Sequence, residues 1–259
     1  MAERLLDDPG VWRMDTFRVH PGSLGVRETV IDGPEGHHAV DVVRVRQGDI
    51  VRLIDGEGTE AVARVDAAER SEAAVSIVEE RSHARRSSVH LTIVQALLKG
   101  RALDDVVRRC SELGVAEIVP VRTSRSIGKV PSDAEESRTT RWEAIALAAV
   151  KQSRGVFLPR IGEVRDLGAV SELVVDHDRA LVAWEEETGA SLKQALGIPA
   201  PRRILLVVGP EGGLAAEEVD VLAASGATPV GVGRRVLRAD WAAAAVSAMI
   251  SYEVGGLLP

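Results

Sequence analysis

The stretch that decides the fold runs Leu205-Leu206-Val207-Val208-Gly209-Pro210-Glu211-Gly212-Gly213-Leu214. Its short apolar, β-branched start predicts a buried strand, and a helix predicted over residues 215–224 follows at once. In open α/β sheets, ligands bind beyond the carboxyl ends of the strands. Glycines at such a place let the backbone approach a ligand closely. The pattern is neither GxGxxG nor GxxxxGK[ST], so neither dinucleotide nor nucleoside triphosphate binding is implied.

A second loop of the same kind is Gly231-Val232-Gly233-Arg234-Arg235-Val236-Leu237-Arg238-Ala239-Asp240-Trp241-Ala242. It lies between a strand predicted over residues 228–232 and an alanine-rich helix over 240–254. Asp240 is a plausible N-cap of that helix. Solvation alone explains Arg234 and Arg235. Arg238 is the better candidate for binding a carboxylate or phosphate, because it lies between an apolar residue and the start of the helix.

The region around these loops alternates strands with helices. Strands are predicted over residues 89–96, 116–121, 180–184, 204–208 and 228–232, and helices over 102–113, 137–151, 215–224 and 240–254. This alternation predicts a mostly parallel sheet with helices on both faces. The part before residue 85 differs, since short strands separated by turns predict a small sandwich or barrel. One helix is predicted there, beginning at Asp32 or Gly33. The polar stretch 79–88 marks the domain boundary.

The composition is that of an ordinary globular protein of 259 residues, 45% of them hydrophobic and 27% charged. A single cysteine, Cys110, excludes an intramolecular disulfide and any multi-cysteine metal site. No apolar run reaches the about 18 residues of a membrane span. The net charge is −7, yet residues 81–160 hold 15 Lys and Arg against 8 Asp and Glu. A basic middle in an acidic chain is compatible with a local anion-binding surface and equally with solvated helix faces.

Both loops together resemble the RsmE family, whose members methylate N3 of a uridine in 16S ribosomal RNA and belong to the knotted SPOUT class. The similarity extends over nearly the whole chain. Further stretches that carry it are Gly36-His37-His38, Val43-Arg44-Val45-Arg46-Gln47-Gly48-Asp49, Asp55-Gly56-Glu57-Gly58, Gln95-Ala96-Leu97-Leu98-Lys99-Gly100, Cys110-Ser111-Glu112-Leu113-Gly114-Val115, Arg141-Trp142 and Ala148-Ala149-Val150-Lys151-Gln152-Ser153.

The resemblance implies an α/β protein of two domains. Residues 14–85 would form a PUA-like RNA-binding β-barrel, and residues 86–259 a SPOUT methyltransferase domain with a trefoil knot. The family usually begins near Asp15, so residues 1–13 would be an extension or a misassigned start. It further implies S-adenosyl-L-methionine as cofactor, 16S rRNA in the assembled 30S subunit as substrate, and a homodimer. It also implies a cytoplasmic location and neither a metal nor a membrane.

The resemblance also implies a set of site residues. Arg238 would be catalytic, by positioning RNA or stabilising developing negative charge. Asp240 or Glu211 is open as a base, since helix capping and loop rigidity explain both carboxylates equally well. The implied cofactor-binding residues are Ala183, Trp184, Glu185, Gly209, Pro210, Glu211, Gly212, Gly213, Gly231, Val232, Gly233, Val236, Leu237 and Ala242. The implied RNA-binding residues are Arg18, His37, His38, Arg44, Arg46, Lys99, Arg101 and Arg125, with Arg85, Arg86, Arg122 and Lys129 extending the basic surface.

The last loop departs from the family pattern. The family reads Leu-Arg-Thr-x-Thr-Ala where this chain has Leu237-Arg238-Ala239-Asp240-Trp241-Ala242, so two hydroxyls are missing. If they only capped the helix, Asp240 can replace them. If they contacted the cofactor, its affinity is lower here. Alternatives are therefore a non-catalytic RNA-binding or ribosome-assembly module and a SPOUT enzyme with another RNA target. A Rossmann-like small-molecule enzyme lacks its glycine fingerprint.

Overall fold

The structure, a computed structural model, describes residues 5–7, 10, 13–83, 89–126 and 133–255. The chain divides into two compact units. The first comprises Met1–Arg86 and Val150–Leu158, and the second Ser87–Ala149 and Pro159–Pro259. Of the predicted boundary stretch 79–88, residues 79–82 form the end of a strand, and residues 84–88, with Arg85 and Arg86, lie outside the described residues. Lys129 and most of residues 1–13 also lie outside them.

The first unit is built on a sheet of five strands. Its strand order is β1-β3-β4-β5-β2, with β1 parallel to β3 and the other neighbours antiparallel. Two shifts of register bend the pair β4–β5, as β-bulges do. Phe17, Ile31 and Leu53 are fully buried in the core of this unit. The strands are β1 (Thr16–Arg18), β2 (Glu28–Ile31), β3 (Ile50–Ile54), β4 (Thr59–Glu69) and β5 (Glu72–Ser82).

The helix predicted in this unit is present in two pieces. α1 (Gly33–His37) is followed directly by a π-helix, His38–Val43. Arg44 then ends the helical segment in the left-handed conformation, with φ of 64°. Strands β4 and β5 are longer than predicted, because they pair with each other beyond the apolar residues that sequence periodicity detects.

The second unit is built on a parallel sheet of order β12-β10-β11-β6-β7-β8, with β9 also pairing with β7. The parallel sheet that the alternating pattern predicted is thus confirmed. The strands are β6 (His90–Ala96), β7 (Glu117–Arg122), β8 (Arg160–Ile161), β9 (Arg165–Asp166), β10 (Arg179–Ala183), β11 (Arg203–Val208) and β12 (Thr228–Val230). The helices are α2 (Ala102–Glu112), α3 (Asp133–Gln152), α4 (Val170–Val174), α5 (Leu192–Leu196), α6 (Ala216–Ala224) and α7 (Ala239–Glu253).

Helices cover both faces of this sheet, because its strands are apolar on both sides. Along β11, Ile204 and Leu206 face a core shared with α2, α3 and α7. Leu205 and Val207 face the opposite core, shared with α4 and α6. The predicted apolar face of α2 is buried in the first of these cores. The sequence pattern did not predict β8, β9, α4 and α5, which span only two to five residues each.

Among the described residues, no helix is both long and apolar enough to cross a lipid bilayer.

Candidate functional site

Three loops meet at one edge of the parallel sheet. Strands β12, β10 and β11 are neighbours in the sheet, so the loops that follow Val230, Ala183 and Val208 lie side by side. Trp184 donates its backbone N–H to Val230 at 3.1 Å, which joins two of these loops directly. The site is therefore at the carboxyl ends of adjacent parallel strands, where open α/β sheets bind ligands.

A cavity of about 440 Å³ opens between these loops. Its volume lies within the range of small-molecule sites. Arg238 lines it, as do the predicted cofactor-binding residues apart from Gly212 and Gly231. Those lining residues are Ala183, Trp184, Glu185, Gly209, Pro210, Glu211, Gly213, Val232, Gly233, Val236, Leu237 and Ala242.

Two predicted residues have other positions. Gly212 lies against Arg125, whose Cβ is 3.6 Å from the place a Gly212 Cβ would take. Gly231 lies against the loop after β10, where an added Cβ would be 2.3 Å from the carbonyl oxygen of Glu187. The absence of a side chain at Gly231 thus lets β12 continue close to that loop. In the described part of the chain, neither residue is part of the cavity wall.

The cavity wall also includes residues that the sequence patterns did not single out as ligand-binding. Arg234 and Arg235, interpreted above as solvated, line it, and so does Asp240. Ala102 contributes from the start of α2. Nothing local in the sequence signals Ala102, because it comes near the cavity only through the packing of α2 on the sheet. Arg234 and Arg235 could have been predicted, because they lie in the same loop as Arg238.

The glycine-rich loop 209–214 is tied to the loops after β6 and β7. The backbone N–H of Lys99 donates to Oε1 of Glu211 at 3.0 Å. Arg125 donates from Nη1 to the carbonyl oxygens of Gly212, at 3.0 Å, and Leu214, at 3.3 Å. Gln95, fully buried, donates to the carbonyl of Gly209 at 3.3 Å. Through these hydrogen bonds, the side chains of Glu211 and Arg125 stabilise the conformation of the loop.

Glu218 supports the same loop from the start of α6. One carboxylate oxygen accepts the backbone N–H of Ala215 at 2.9 Å, and the other accepts that of Ser124 at 2.7 Å. A carboxylate in the first turn of a helix is also favoured by the helix dipole. The loop therefore starts and ends at anchored positions, so a ligand in the cavity meets a preformed wall.

The helix cap predicted at Asp240 is wrong. Helix α7 begins at Ala239, and its N-cap is Arg238. Asp240 lies in the first turn, and its carboxylate pairs with Arg238. This hydrogen-bonded pair lowers the pKa of the Asp240 carboxyl below its usual value and raises the pKa of the Arg238 guanidinium. A carboxylate with a lowered pKa is a weaker base, which argues against Asp240 in that role.

The predicted RNA-binding residues divide between the two units. Arg18, His37, His38, Arg44 and Arg46 belong to the first unit, and all but the half-buried His38 are exposed. His37 pairs with Asp41 through Nδ1 at 2.8 Å, and His38 packs edge-on against Phe17. Lys99, Arg101 and Arg125 belong to the second unit and are exposed.

Metal-binding geometry is not found in the part of the chain that the structure describes, where no group of three or more His, Cys, Asp or Glu side chains is suitably placed.

Comparison with known proteins assigns the chain to a family. A model described as an RNA methyltransferase domain matches residues 85–251, and an RNA methyltransferase PUA domain model matches residues 31–78. A ribosomal RNA small subunit methyltransferase E from Mycobacterium bovis is 32% identical over 226 residues, 83% of this chain and 82% of that protein. The chain belongs to the ribosomal RNA small subunit methyltransferase E family.

Other members of the methyltransferase E family agree with this assignment. The Bacillus subtilis protein of that name is 29% identical over 228 residues, 86% of this chain and 89% of its own length. A crystal structure of the Neisseria gonorrhoeae methyltransferase E, bound to S-adenosyl methionine, superposes with a TM-score of 0.82 at 26% identity. The superposition covers 93% of this chain and 98% of the gonococcal chain. The family and the two-part α/β fold predicted from the sequence are thereby confirmed.

Proposed function

We propose that this chain transfers a methyl group from S-adenosyl-L-methionine to N3 of a uridine in 16S ribosomal RNA, on the assembled 30S subunit. The observation that carries the proposal is the cavity between the three loops at the carboxyl ends of β10, β11 and β12. Family membership supports the reaction class. The gonococcal relative, which binds S-adenosyl methionine, supports the cofactor.

The residues around the cavity fit this cofactor. Its walls combine apolar side chains with carboxylates and guanidinium groups, as a ligand with apolar, cationic and anionic parts requires. Gly213 leaves room where a side chain would collide with the carboxylate of Glu185, 2.0 Å from its added Cβ. When bound, S-adenosylmethionine supplies an electrophilic methyl group on a sulfonium sulfur. Backbone groups of the three loops would hold it.

The protein's own contribution to the chemistry concerns the nucleophile. Uracil N3 is a poor nucleophile until its proton passes to water, and the resulting anion needs stabilisation. Methylation of that anion leaves S-adenosylhomocysteine as the second product. Arg238 is the candidate for that role, because its guanidinium is permanently charged, exposed, and part of the cavity wall. Alignment of the two reactants adds to the rate by removing the entropy cost of their encounter.

Basic side chains in both units are proposed to bind the RNA. Contacts from arginine and lysine to phosphate would fix the register of the substrate without reading its bases. We assign this role to Arg18, Arg44, Arg46, Lys99, Arg101 and Arg125, with His37 and His38 as further RNA contacts. The domain limits 14–85 and 86–259, the trefoil knot, the homodimer and a cytoplasmic location belong to the same proposal.

The alternative of a non-catalytic RNA-binding module is not favoured. Its support was the altered sequence Ala239-Asp240-Trp241. In the structure this sequence forms the first turn of α7, and Ala239 and Asp240 line the cavity together with the glycine-rich loop. The departure from the family pattern therefore coexists with a formed cavity.

A methyl-transfer assay tests the proposal. The substrates are 30S subunits and naked 16S rRNA that lack the modification, with labelled S-adenosylmethionine as donor, followed by nucleoside analysis. Formation of 3-methyluridine is expected, with 30S subunits as the better substrate. Label in another nucleoside would keep the reaction class and contradict the target. Cofactor binding without transfer to either RNA would contradict the substrate, and absence of both would contradict the function.

A further inference from the structure

Asp240 has a contact that helix capping does not explain. Its carboxylate receives two hydrogen bonds from Arg238, from Nε to Oδ1 at 2.9 Å and from Nη2 to Oδ2 at 3.3 Å. The two partners differ in burial, since 16% of the Asp240 side chain is exposed against 85% of the Arg238 side chain. A nearly buried carboxylate thus holds an exposed guanidinium through a two-point contact.

Asp240 is itself held in place by a third residue. Arg109, on α2, donates from Nη1 to the backbone carbonyl oxygen of Asp240 at 2.7 Å. The same guanidinium lies over the ring of Trp241, 5.0 Å from its centroid, in a cation–π contact. Arg109 therefore fastens the first turn of α7 to α2, and the Asp240 carboxylate starts from a fixed backbone.

We propose that Asp240 is a positioning residue, which fixes the guanidinium of Arg238 in the cavity wall for its action on the RNA. An exposed arginine side chain populates many rotamers, and a two-point contact with a carboxylate restricts it to few. Both residues line the cavity, so the restriction acts at the place where the substrate must meet the cofactor. The inference rests on the proposed function, since it takes Arg238 as the group that acts on RNA.

This role differs from that of a general base. A base needs a free lone pair directed at the substrate and a pKa near the working pH. Both carboxylate oxygens of Asp240 already accept hydrogen bonds from Arg238, and that contact lowers the pKa of the carboxyl. The geometry therefore favours an indirect effect of Asp240, exerted through Arg238.

A double-mutant cycle separates the two roles. We expect Asp240→Asn to lower kcat about tenfold, because catalysis is sensitive to small errors of position. The KM for RNA and the Kd for S-adenosylmethionine should change less than twofold, and Asp240→Glu should restore part of kcat. In an Arg238→Ala background, Asp240→Asn should cause no further loss, since coupled residues are not additive. The matched control is Asp105→Asn, which removes an exposed carboxylate paired with Arg108 outside the cavity wall.

Two results would overturn the proposal. One is wild-type kcat in Asp240→Asn. The other is a full additional loss when Asp240→Asn is placed in the Arg238→Ala background, which would show that Asp240 acts on substrate or cofactor directly. Thermal unfolding of each variant separates these outcomes from misfolding, and an ion pair whose arginine is exposed should affect it little.

A measurement without substrate keeps this inference separate from the proposed function. NMR relaxation of the arginine Nε–Hε groups reports how mobile each guanidinium is. The Arg238 signal should be restricted in the wild-type chain and mobile in Asp240→Asn, whereas Asp105→Asn should leave it unchanged. Equal mobility of Arg238 in wild type and Asp240→Asn would refute the positioning role. If the wild-type chain methylates neither RNA, the proposed function fails. The NMR measurement would still show whether Asp240 restricts the guanidinium of Arg238.

Discussion

Neighbouring glycines in the loop 209–214 have different environments. Gly213 has φ of +70°, in the left-handed region, and an added Cβ would lie 2.0 Å from Oε1 of Glu185. An added Cβ at Gly212 would meet only ordinary van der Waals contacts with Arg125, at 3.6 and 3.7 Å. The family resemblance implied that both glycines bind the cofactor, but only at Gly213 would an added side chain collide with a residue of the cavity wall.

We predict that Gly213→Ala lowers the affinity for S-adenosylmethionine about tenfold or more, because the substitution strains the backbone and displaces Glu185 in the cavity wall. Isothermal titration calorimetry with the cofactor measures the effect. Gly212→Ala is the matched control and should keep the wild-type affinity within about twofold, since its Cβ has room. Equal losses in both variants would show that the loop responds as a whole and not through the cavity wall.

Single residues also changed their interpretation through their partners. Glu211 was open as a base, and its Oε1 is now seen to accept the backbone N–H of Lys99. Asp240 was expected to cap α7 and instead pairs with Arg238. In both cases the residue type and its place in the sequence correctly indicated a residue of the cavity wall. The hydrogen-bond partner of each residue was not predicted. Partners come from other elements or from side-chain rotamers, which sequence periodicity does not encode.

At the scale of elements, the loop 209–214 depends on two others. The loop after β6 holds it through Lys99, and the loop after β7 holds it through Ser124 and Arg125. Since β6 pairs with β11 and β7 pairs with β6 on its far side, this support follows from strand order. Arg125 was predicted to bind RNA, but its hydrogen bonds to Gly212 and Leu214 give it a second role in shaping the cofactor site.

We expect Arg125→Ala to weaken cofactor binding several-fold, because two carbonyl oxygens of the loop lose a charged donor. The comparison variant is Arg101→Ala, an exposed arginine at the start of α2 that should lower RNA affinity and leave the cofactor Kd unchanged. Measuring both affinities for both variants distinguishes them, because only Arg125→Ala should change the cofactor Kd. If Arg125→Ala reduced only RNA affinity, the loop would not need this anchor.

At the scale of the whole molecule, the first residues of the chain make contacts with the first unit that the sequence did not predict. Residues 1–13 were interpreted as an extension or a misassigned start. Leu6, however, is 6% exposed and packs with Val62 and Met14. Its backbone N–H also donates to Oε2 of Glu79 at 3.3 Å, on strand β5. Leu6 therefore belongs to a small buried cluster of the first unit, beside its main core.

Deleting residues 1–13 should consequently destabilise the protein. Leu6→Ala isolates the effect of side-chain packing. We expect it to lower the free energy of unfolding by about 1–3 kcal/mol, toward the low end of the costs known for buried leucines. Urea denaturation measures it. Leu5→Ala is the control and should have little effect, since Leu5 is exposed. A deletion variant with wild-type stability would restore the earlier interpretation.

Helix α7 presents apolar side chains to solvent as well as to the core. Trp241, Met249 and Tyr252 are 49%, 45% and 79% exposed. We predict that the chain is a homodimer that uses this helix, since a second copy would cover these side chains. Light scattering after size exclusion should give twice the 27.6 kDa mass of the chain.

Met249→Asp should shift the dimer toward the monomer, because it places a charge in the apolar contact. Val175→Asp, at a residue that is 77% exposed and follows α4, controls for the general effect of a surface charge. A monomeric wild-type protein at micromolar concentration would contradict the prediction.

The sequence by itself determined the features that depend on neighbouring residues. The apolar run 204–208 predicted β11, the alternation of strands and helices predicted a parallel sheet, and the two glycine-containing loops predicted where the cavity lies. Arg238 and most of the predicted cofactor-binding residues do line one cavity. Such features were predictable because a strand, a helix or a turn is set by residues close together in the chain.

Only the tertiary structure decided what depends on contacts between distant segments. The strand order β12-β10-β11-β6-β7 brings the three loops together and supplies the anchors from Lys99 and Arg125. It also distinguishes Gly213 from Gly212, and it places Leu6 in a core. The physical reason is that strand pairing and side-chain partners are chosen among residues far apart in sequence, by packing and hydrogen bonding that no local pattern records.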